Sequence, residues 1–381
     1  MQICYWSHFL THIATVDAVK NSAISVKKYL TTSERLQIKI LNSCGEWNFF
    51  KNNKESIDVY DMQKINLYKI LPKKGFILSR LSFIVVFLLN LIPLLKFIKR
   101  EKPDFIIIHL LTILPIILSP YISKKTKIIL RISGLPNMHF FRKFIWSFFS
   151  RYIFLITTPT NLTKELLINY NIFNSTKIKL LRDPIINCKN INYLKKKKLE
   201  FIPTNENFYL SIGRLTEQKN FEFLVNTFAK NYKDFNIKKL LIIGDGEEYK
   251  KIKKIIYNNK AEDNIFLIGF KKNVYNYINK SSALISTALY EDPGFALIES
   301  CYMRKKIITS LVDNGPKEMF NNSDMCYFFQ SNNQNDLIKK IFLSEKDINN
   351  KIKISNAFYY SRNFTWYNHY KTLISLIKQT I

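Results

Sequence analysis

Two acidic residues, Glu291 and Glu299, stand close together in the stretch ALYEDPGFALIESCY, residues 288–302. Between them, Pro293 and Gly294 predict a tight turn, and a helix is expected to begin directly after it. The first N–H groups of such a helix have no partner inside it and suit an anionic or hydroxyl-rich ligand. Carboxylates also accept hydrogen bonds from sugar hydroxyls, so the two acids are expected to hold different parts of one ligand. On spacing alone, a helix-start acid and an exposed glutamate remain the alternative.

A second loop of interest, SIGRLTEQKN, places Gly213 directly after an apolar run, followed by Arg214 and Lys219. A glycine lets the backbone approach a ligand closely, and two cations at this spacing can hold a diphosphate. Because lysine and arginine are abundant in this chain, solvated loop charges are the alternative interpretation.

Two further loops precede predicted helices. IIGDGEEY has Gly244 and Gly246 after a strand, and SLVDNGPKEMF has a turn at Gly315 with Pro316 and Glu318 in the first helical turn. In open parallel sheets, ligands bind beyond the carboxyl ends of the strands. The four loops are therefore expected to surround one site.

The elements that must position these loops alternate along the whole chain. Near-continuous apolar runs predict strands buried on both faces, with helical patterns between them: MQICYW, LQIKIL, DFIIIH, KIILRI, YIFLIT, FYLSI, KKLLIIG, NIFLIGF, ALIST and KIITS. This alternation predicts an α/β fold of two Rossmann-like doubly wound domains facing one another across a cleft. We expect an N-terminal domain over 1–190, a lysine-rich linker in 187–207 and a second domain over 200–360. A C-terminal helix in 361–381 is expected to pack back toward the first domain.

The bulk composition indicates a folded protein with a strongly basic surface. Hydrophobic residues make up 47% of the 381 residues, which excludes an intrinsically disordered chain. Lysine and arginine number 58 against 29 acids, a formal charge of +29. Such an excess favours a polyanionic partner such as anionic lipid, phosphorylated substrate or nucleic acid, although a biased genome composition would produce it too.

The cysteines and the N-terminus bear on the cellular compartment. The five cysteines are scattered and form no CxxC pair, so a reduced chain without structural zinc is expected. The first residues, MQICYWSHFL, lack the pattern of a signal peptide, so export is not expected.

The stretch RLSFIVVFLLNLIPLLKFIKR, residues 80–100, is the most apolar part of the chain. Only 15 residues between Arg80 and Lys96 are uncharged, fewer than the roughly 20 that a membrane span needs. The stretch is expected to be a helix that is either buried or laid against a bilayer surface.

Taken in order, the four loops resemble the nucleotide-sugar domain of retaining family-4 glycosyltransferases, which have the GT-B fold. The resemblance rests on Gly213-Arg214 with Lys219, on Gly244 to Gly246, on Glu291 with Glu299 and on Gly315 with Glu318, over about 208–330. The variant EDPGF…E…NGPKE is similar to members that build bacterial surface polysaccharide or lipopolysaccharide.

The resemblance implies a role for each residue. Arg214 and Lys219 would neutralise the donor diphosphate, and Glu299 would accept from the ribose hydroxyls of the nucleotide. Glu291 would hold hydroxyls of the transferred sugar. The other residues implied in donor binding are Gly213, Gly244, Gly246, Gly294, Phe295, Ala296 and Gly315.

The resemblance also implies a reaction: a hexosyltransferase that moves a sugar from a UDP- or GDP-sugar to a lipid-linked saccharide or lipopolysaccharide acceptor with retention of configuration. No cofactor and no metal are expected, and neither glutamate is assigned as a covalent nucleophile. The implied location is cytoplasmic, peripheral on the inner face of the cytoplasmic membrane, with an anionic membrane surface as a partner.

The resemblance implies that the N-terminal domain, 1–190, binds the acceptor and that the second domain, 200–360, binds the nucleotide-sugar. The first half of the chain fits the family less well. It lacks the glycine-rich loop that many relatives carry after the first strand. His109, at the end of DFIIIH, matches a common family histidine and is a candidate catalytic residue. A lone histidine at a strand end is more often structural, and the same holds for His8 and His12.

Two alternatives remain open at the level of sequence. A GT-B nucleotide-sugar epimerase would share the fold and the donor site. A non-specific basic nucleic-acid-binding protein would explain the charge, but no recognised RNA- or DNA-binding signature is present and specific nucleic-acid binding is not expected.

Overall fold

The structure, a computed structural model, describes residues 1–11, 13–30, 36–73, 75–134, 138–201, 208–235, 238–320 and 324–379. The chain divides into two units. The first comprises Met1–Pro184 with Trp366–Ile381, and the second comprises Ile185–Thr365.

The first unit is built on a seven-stranded parallel sheet with strand order β3-β2-β1-β4-β5-β6-β7. Its strands are β1 Gln2–Trp6, β2 Gln37–Asn42, β3 Asp58–Asp61, β4 Phe105–Ile108, β5 Lys127–Arg131, β6 Ile153–Thr158 and β7 Ile178–Leu180. The helices between them are α1 Ala14–Tyr29, α2 Phe76–Glu101, α3 Ile113–Leu118, α4 Phe140–Phe149 and α5 Asn161–Asn169. The central strand β4 is buried at every position, as its continuous apolar sequence predicts.

The second unit repeats this plan with a six-stranded parallel sheet of order β10-β9-β8-β11-β12-β13. Its strands are β8 Tyr209–Ile212, β9 Leu240–Ile243, β10 Ile265–Leu267, β11 Ala283–Ser286, β12 Lys306–Leu311 and β13 Tyr327–Gln330. Its helices are α6 Cys188–Leu194, α7 Phe221–Phe235, α8 Tyr249–Asn258, α9 Tyr275–Lys280, α10 Phe295–Tyr302, α11 Pro316–Phe320, α12 Gln334–Lys346 and α13 Asn350–Ser361. The prediction of two Rossmann-like α/β domains is confirmed.

The division between the units falls outside the lysine-rich segment 187–207. Residues 188–194 of that segment form helix α6, and 202–207 lie outside the described residues. The chain passes from the first unit to the second between Pro184 and Ile185, because Ile185 and Ile186 both donate backbone hydrogen bonds to Phe364 O within the second unit.

The last helix, α14 Trp366–Gln379, belongs to the first unit. Its buried residues Leu373, Ile374 and Ile377 share an apolar cluster with Val16 and Val19 of α1. An amphipathic sequence folds here as a helix whose apolar stripe covers the first sheet.

Helix α2 is longer than the sequence interpretation assumed. In the described chain, Ile77–Glu101 is long and apolar enough to cross a membrane by length and composition alone, and a third of its most apolar window is buried. Counting only the residues between Arg80 and Lys96 underestimated it, because the helix continues beyond both charges. One face packs into the first unit through Val86, Asn90 and Leu94.

Candidate functional site

The strand order of the second sheet reverses between β8 and β11. In open α/β sheets the loops on either side of such a reversal diverge and leave a crevice at the carboxyl edge. The predicted residues of the second unit lie in the loops after β8, β9, β11 and β12 or in the helix α10 that follows β11. Sequence order and sheet topology therefore place them at one edge.

An ion pair joins the two loops on either side of the reversal. Lys219 Nζ lies 2.5 Å from Glu291 Oε1, and the two side chains are only 18% and 9% exposed. Gly213 leaves space for the lysine, since a Cβ there would lie 3.3 Å from Lys219 Cδ and Cε. Gln218 Nε2 donates to Tyr290 O at 2.8 Å and ties the same loops together. A partly desolvated cation is thus fixed beside a carboxylate, where salt screens it little.

Arg214 and Glu299 occupy different surroundings. Arg214 follows Gly213 directly and is exposed. Glu299 lies half-buried in α10, and its Oε1 accepts a hydrogen bond from Tyr275 Oη at 2.8 Å. This bond orients the carboxylate of Glu299, and its contact with a nucleotide stays a prediction.

Gly244 and Gly246 pack the loop after β9 against the loop after β8. A Cβ at Gly244 would lie 1.8 Å from Gly213 O, and one at Gly246 would lie 2.3 Å from Leu215 O. Backbone hydrogen bonds from Gly213 to Ile243 and from Leu215 to Asp245 join the loops along this contact. The two glycines are therefore required for close loop packing, while their contact with a ligand stays a prediction.

Gly294 and Gly315 serve the loops after β11 and β12 in a similar way. Gly294 precedes α10 with a φ of 97°, a left-handed conformation that favours glycine, and Phe295 begins the helix as predicted. A Cβ at Gly315 would lie 2.8 Å from Glu291 O and 2.9 Å from Pro293 O. The backbone around Glu291 is thus held from two sides, with half-buried Ala296 in the first turn of the helix.

The predicted catalytic residue His109 belongs to the first unit, where it directly follows β4. It is 7% exposed and lines a closed cavity with Arg131, Asp183 and His369. Burial lowers its pKa well below the usual range, and the charge of Arg131 adds to this effect. His109 is thus a buried, neutral histidine whose Nδ1 has no hydrogen-bond partner among the described residues, and its catalytic role stays a prediction.

The two buried histidines of this cavity, His109 and His369, predict that the free energy of unfolding decreases in mild acid. Burial lowers the pKa of His369 to about 3, against an opposing hydrogen bond to Arg182 O. In the unfolded chain these histidines bind protons near pH 6.5, whereas in the native state they stay neutral at that pH. The free energy of unfolding is therefore largest above pH 6.5 and decreases below it. Going from pH 7 to pH 5 is expected to cost about 2 kcal/mol for each such histidine. Urea unfolding followed by tryptophan fluorescence measures this in the first unit, which contains all four tryptophans, Trp6, Trp47, Trp146 and Trp366.

The matched variant for this measurement is His369→Asn, which removes one of the two displaced titrations. Its free energy of unfolding should depend less steeply on pH than that of the unmodified protein. An identical pH dependence in both proteins would contradict the assignment.

The loops that contain this site lie within a segment that is similar to a known protein family. Residues 193–357 match the family described as Glycosyl transferases group 1. The matched span includes the whole arrangement around Lys219 and Glu291.

Curated relatives of this chain are glycosyltransferases. An uncharacterized glycosyltransferase of Methanocaldococcus jannaschii is 29% identical over 245 residues, which are 59% of this chain and 60% of that protein. The N-acetylgalactosamine-N,N'-diacetylbacillosaminyl-diphospho-undecaprenol 4-alpha-N-acetylgalactosaminyltransferase of Campylobacter jejuni is 26% identical over 155 residues, 41% of this chain and 42% of that protein. The similarity thus spans less than two thirds of either relative.

A solved structure extends the likeness to the entire fold. The crystal structure of Anabaena HepE in complex with UDP has a TM-score of 0.73 and 13% identity, and covers 100% of both chains. The same protein has also been crystallised in complex with UDP-glucose. At this identity the likeness establishes the fold.

Two polar residues of the site, both within the segment that matches Glycosyl transferases group 1, were not predicted from the sequence. Tyr275 contacts Glu299 from α9, and no motif in its own segment points to it. Asn314, next to the predicted turn at Gly315, is 3% exposed, and neither its Oδ1 nor its Nδ2 has a hydrogen-bond partner in the part of the chain that is described. A buried amide beside Gly315 is thus a further polar group available at this edge of the sheet.

One group of residues has the composition of a metal site, and it lies outside the family match. Among the described residues, His8, Cys44 and Glu46 bring their ligand atoms within 4.8 Å of one another. Both Glu46 oxygens already accept hydrogen bonds, from Ser43 and from Cys44 N, and burial raises the pKa of the Cys44 thiol. The three residues form one hydrogen-bonded network, in which His8 Nδ1 lies 3.4 Å from Glu46 Oε1 and 3.8 Å from Cys44 Sγ.

Proposed function

We propose that this protein transfers a hexosyl group from a nucleotide-sugar to a hydroxyl of a saccharide acceptor. The observation that carries the proposal is the partly buried Lys219–Glu291 pair, which joins the two loops at the reversal of the second sheet inside the matched span. In the reaction, the bond between the anomeric carbon and the diphosphate oxygen breaks. A glycosidic bond forms to the acceptor oxygen, and the hydroxyl proton is released.

Each residue of the site has a role suited to its surroundings. Lys219 and exposed Arg214 bind the diphosphate and stabilise the charge that develops on it as it leaves. Glu291 orients the lysine and binds hydroxyls of the transferred sugar. The N–H groups of Phe295 and Ala296 lie in the first turn of α10, where a helix has free donors, and they bind the phosphate or the sugar.

The nucleoside end of the donor is assigned to α10 and its neighbours. Glu299, which already accepts from Tyr275, receives the ribose hydroxyls. A uridine nucleotide is the preferred donor because HepE, with the same fold, binds UDP and UDP-glucose, and a GDP-sugar is the alternative. Retention of configuration, and a reaction that needs no metal, are proposed from the family resemblance.

The acceptor is proposed to be a lipid-linked saccharide or a related surface polysaccharide. The name of the Campylobacter jejuni relative describes transfer to a diphospho-undecaprenol saccharide, which supports a lipid-linked acceptor. Such an acceptor is held at a membrane, so the enzyme must work at that surface.

Helix α2 supports a peripheral position on the anionic cytoplasmic face of the membrane. Its outward side carries a line of apolar residues that are 51% to 70% exposed: Ile77, Leu78, Leu81, Ile84, Leu88 and Ile92. Helix α4 in the same unit exposes a second apolar group of four side chains, Phe140, Phe141, Phe144 and Phe148. Since the inner face of α2 packs on its own unit, an interfacial helix fits better than a spanning one. Because the protein has a formal charge of +29, its binding to anionic vesicles should weaken strongly as salt is added. Binding that does not depend on salt would refute an electrostatic contribution to membrane binding.

A panel of UDP-, GDP- and ADP-sugars tests the donor assignment by thermal shift. A ligand that binds only the native state at 100 times its Kd stabilises the protein by about 2.7 kcal/mol. We expect one nucleotide family to raise the melting temperature and Lys219→Ala to abolish that rise. If no nucleotide-sugar stabilises the protein and none is consumed with acceptor, the proposal fails. Turnover of donor without any acceptor would instead favour an epimerase.

A further inference from the structure

Thr287 directly follows β11 and places a hydroxyl group between the two loops of the candidate site. The residue is 2% exposed, and its Oγ1 donates to Lys219 O and to Asn220 O, each at 3.1 Å. One hydroxyl hydrogen is thus shared between two carbonyl oxygens of the loop after β8. Because the contact is shielded from water, no solvent molecule takes the place of either partner.

Individual hydrogen bonds set the relative position of these two loops. The parallel pairing of β11 with β8 reaches as far as Leu284 and Leu210, and both strands continue beyond that pair. Past the strands, the backbone N–H of Leu289 donates to Gln218 O at 2.8 Å, and the Thr287 hydroxyl makes its two contacts. At a reversal of strand order the chain diverges on either side, so such contacts do the work that a regular ladder does elsewhere in the sheet.

The first carbonyl that Thr287 holds belongs to Lys219 itself. Lys219 is the last residue of a short 3₁₀ turn, Glu217–Lys219, and Asn220 after it has a left-handed φ of 54°. Carbonyl groups at the end of a helical turn have no partner within the turn. The Thr287 hydroxyl supplies this missing donor. The lysine is therefore fixed at its backbone by Thr287 and at its ammonium group by Glu291.

From these contacts we infer that Thr287 is a positioning residue for Lys219, because its hydroxyl fixes the backbone from which the lysine reaches the donor diphosphate. The inference rests on the proposed function, in which Lys219 binds that diphosphate. A charged group stabilises a leaving group fully only when it is held in place, and a misplacement of about 1 Å can cost about 100-fold in rate. Glu291 still anchors the ammonium group when the hydroxyl is removed, so a smaller loss is expected.

The test compares the binding of UDP with UMP, and of GDP with GMP, by isothermal titration calorimetry on the full chain. Within each pair, the Kd of the monophosphate divided by that of the diphosphate measures what the second phosphate contributes, since the base and the ribose are the same. Lys219→Ala should reduce this ratio about tenfold or more. Thr287→Val, which keeps the shape of the side chain, and Thr287→Ala both remove the hydroxyl, and each should reduce the ratio about fivefold.

Three further variants separate positioning from a loss of stability. Thr287→Ser keeps the hydroxyl and should restore the ratio to within about twofold of the unmodified protein. The double variant Lys219→Ala/Thr287→Val should lose no more than Lys219→Ala alone, because the hydroxyl acts through the lysine. Thr227→Val is the matched control, since Thr227 is fully buried in α7 of the same unit and donates to Phe223 O at 2.8 Å. It should leave the ratio unchanged.

Two results would overturn the inference and leave the proposed function intact. One is an unchanged ratio in Thr287→Val and Thr287→Ala, including an equal fall of both affinities, while Lys219→Ala lowers the ratio. The other is a double variant whose loss equals the product of the single losses. If neither nucleoside diphosphate binds the unmodified protein, or if Lys219→Ala keeps the ratio, the proposed role of Lys219 fails and the inference fails with it.

Discussion

Replacing Lys219 by alanine is expected to lower kcat/KM for the nucleotide-sugar about 100- to 1000-fold, the size of effect seen when one transition-state donor is removed. The lysine is held 2.5 Å from Glu291 and is only 18% exposed, so its charge acts in partly desolvated surroundings. Arg214 on the same loop is exposed, so water and salt screen its charge and it is expected to replace the lysine only in part. Initial rates over a range of donor concentrations, with circular dichroism to confirm folding, measure the loss.

Glu291→Ala provides the second arm of this experiment. Removing the carboxylate frees the lysine from its orientation and removes a predicted sugar ligand, so a loss of similar size is expected. Because the two residues act as one unit, the double variant should lose much less than the product of the single losses. Lys238→Ala is the matched control, since Lys238 forms a partly exposed ion pair with Glu345 in the same unit and should change activity less than twofold. Unimpaired transfer by both folded single variants would refute the site.

Much of the fold was readable because its signals are local. Strands such as FIII of β4 and LLII of β9 are continuous apolar runs, and short runs of this kind between turn signals favour strands buried on both faces of a parallel sheet. The loops of the site were found for the same reason. Gly213, Lys219 and Glu291 follow strands directly, and topology brings the carboxyl ends of strands to one edge.

The remaining features depend on contacts between distant segments. Tyr275 reaches Glu299 from another helix, and Glu46 reaches His8 from another loop, so neither pair leaves a pattern in sequence. The end of the first unit was placed too late because a lysine-rich segment resembles a linker. Backbone pairing of Ile185 and Ile186 with Phe364, which sequence does not show, sets the boundary.

The glycines of the loop after β9 have two structural roles that the sequence does not distinguish. The family resemblance implied that Gly244 and Gly246 bind the donor, and the structure shows that they also let two loops pack closely. Both requirements select glycine, so composition cannot separate them. Only the positions of Gly213 O and Leu215 O show that any side chain would collide with protein.

Removing the Asp183 carboxylate is expected to destabilise the first unit by about 3 to 5 kcal/mol, because a charge would be left buried without its counter-ion. Arg131 is 2% exposed and donates to Asp183 Oδ1 and to Leu181 O, each at 2.5 Å. These contacts anchor the segment that follows β7, directly before the chain enters the second unit.

The measurement is urea unfolding of Asp183→Ala at pH 7, followed by the tryptophans of the first unit. Lys51→Ala is the matched control, because Lys51 and Asp61 form a pair in the same unit with side chains 39% and 45% exposed. That pair should contribute less than about 1 kcal/mol, since water and salt screen it. Asp183→Asn keeps an acceptor for Arg131 and should fall between the two. Equal losses in Asp183→Ala and Lys51→Ala would show that burial does not set the strength of the Arg131 pair, and the physical account of this core would then be wrong.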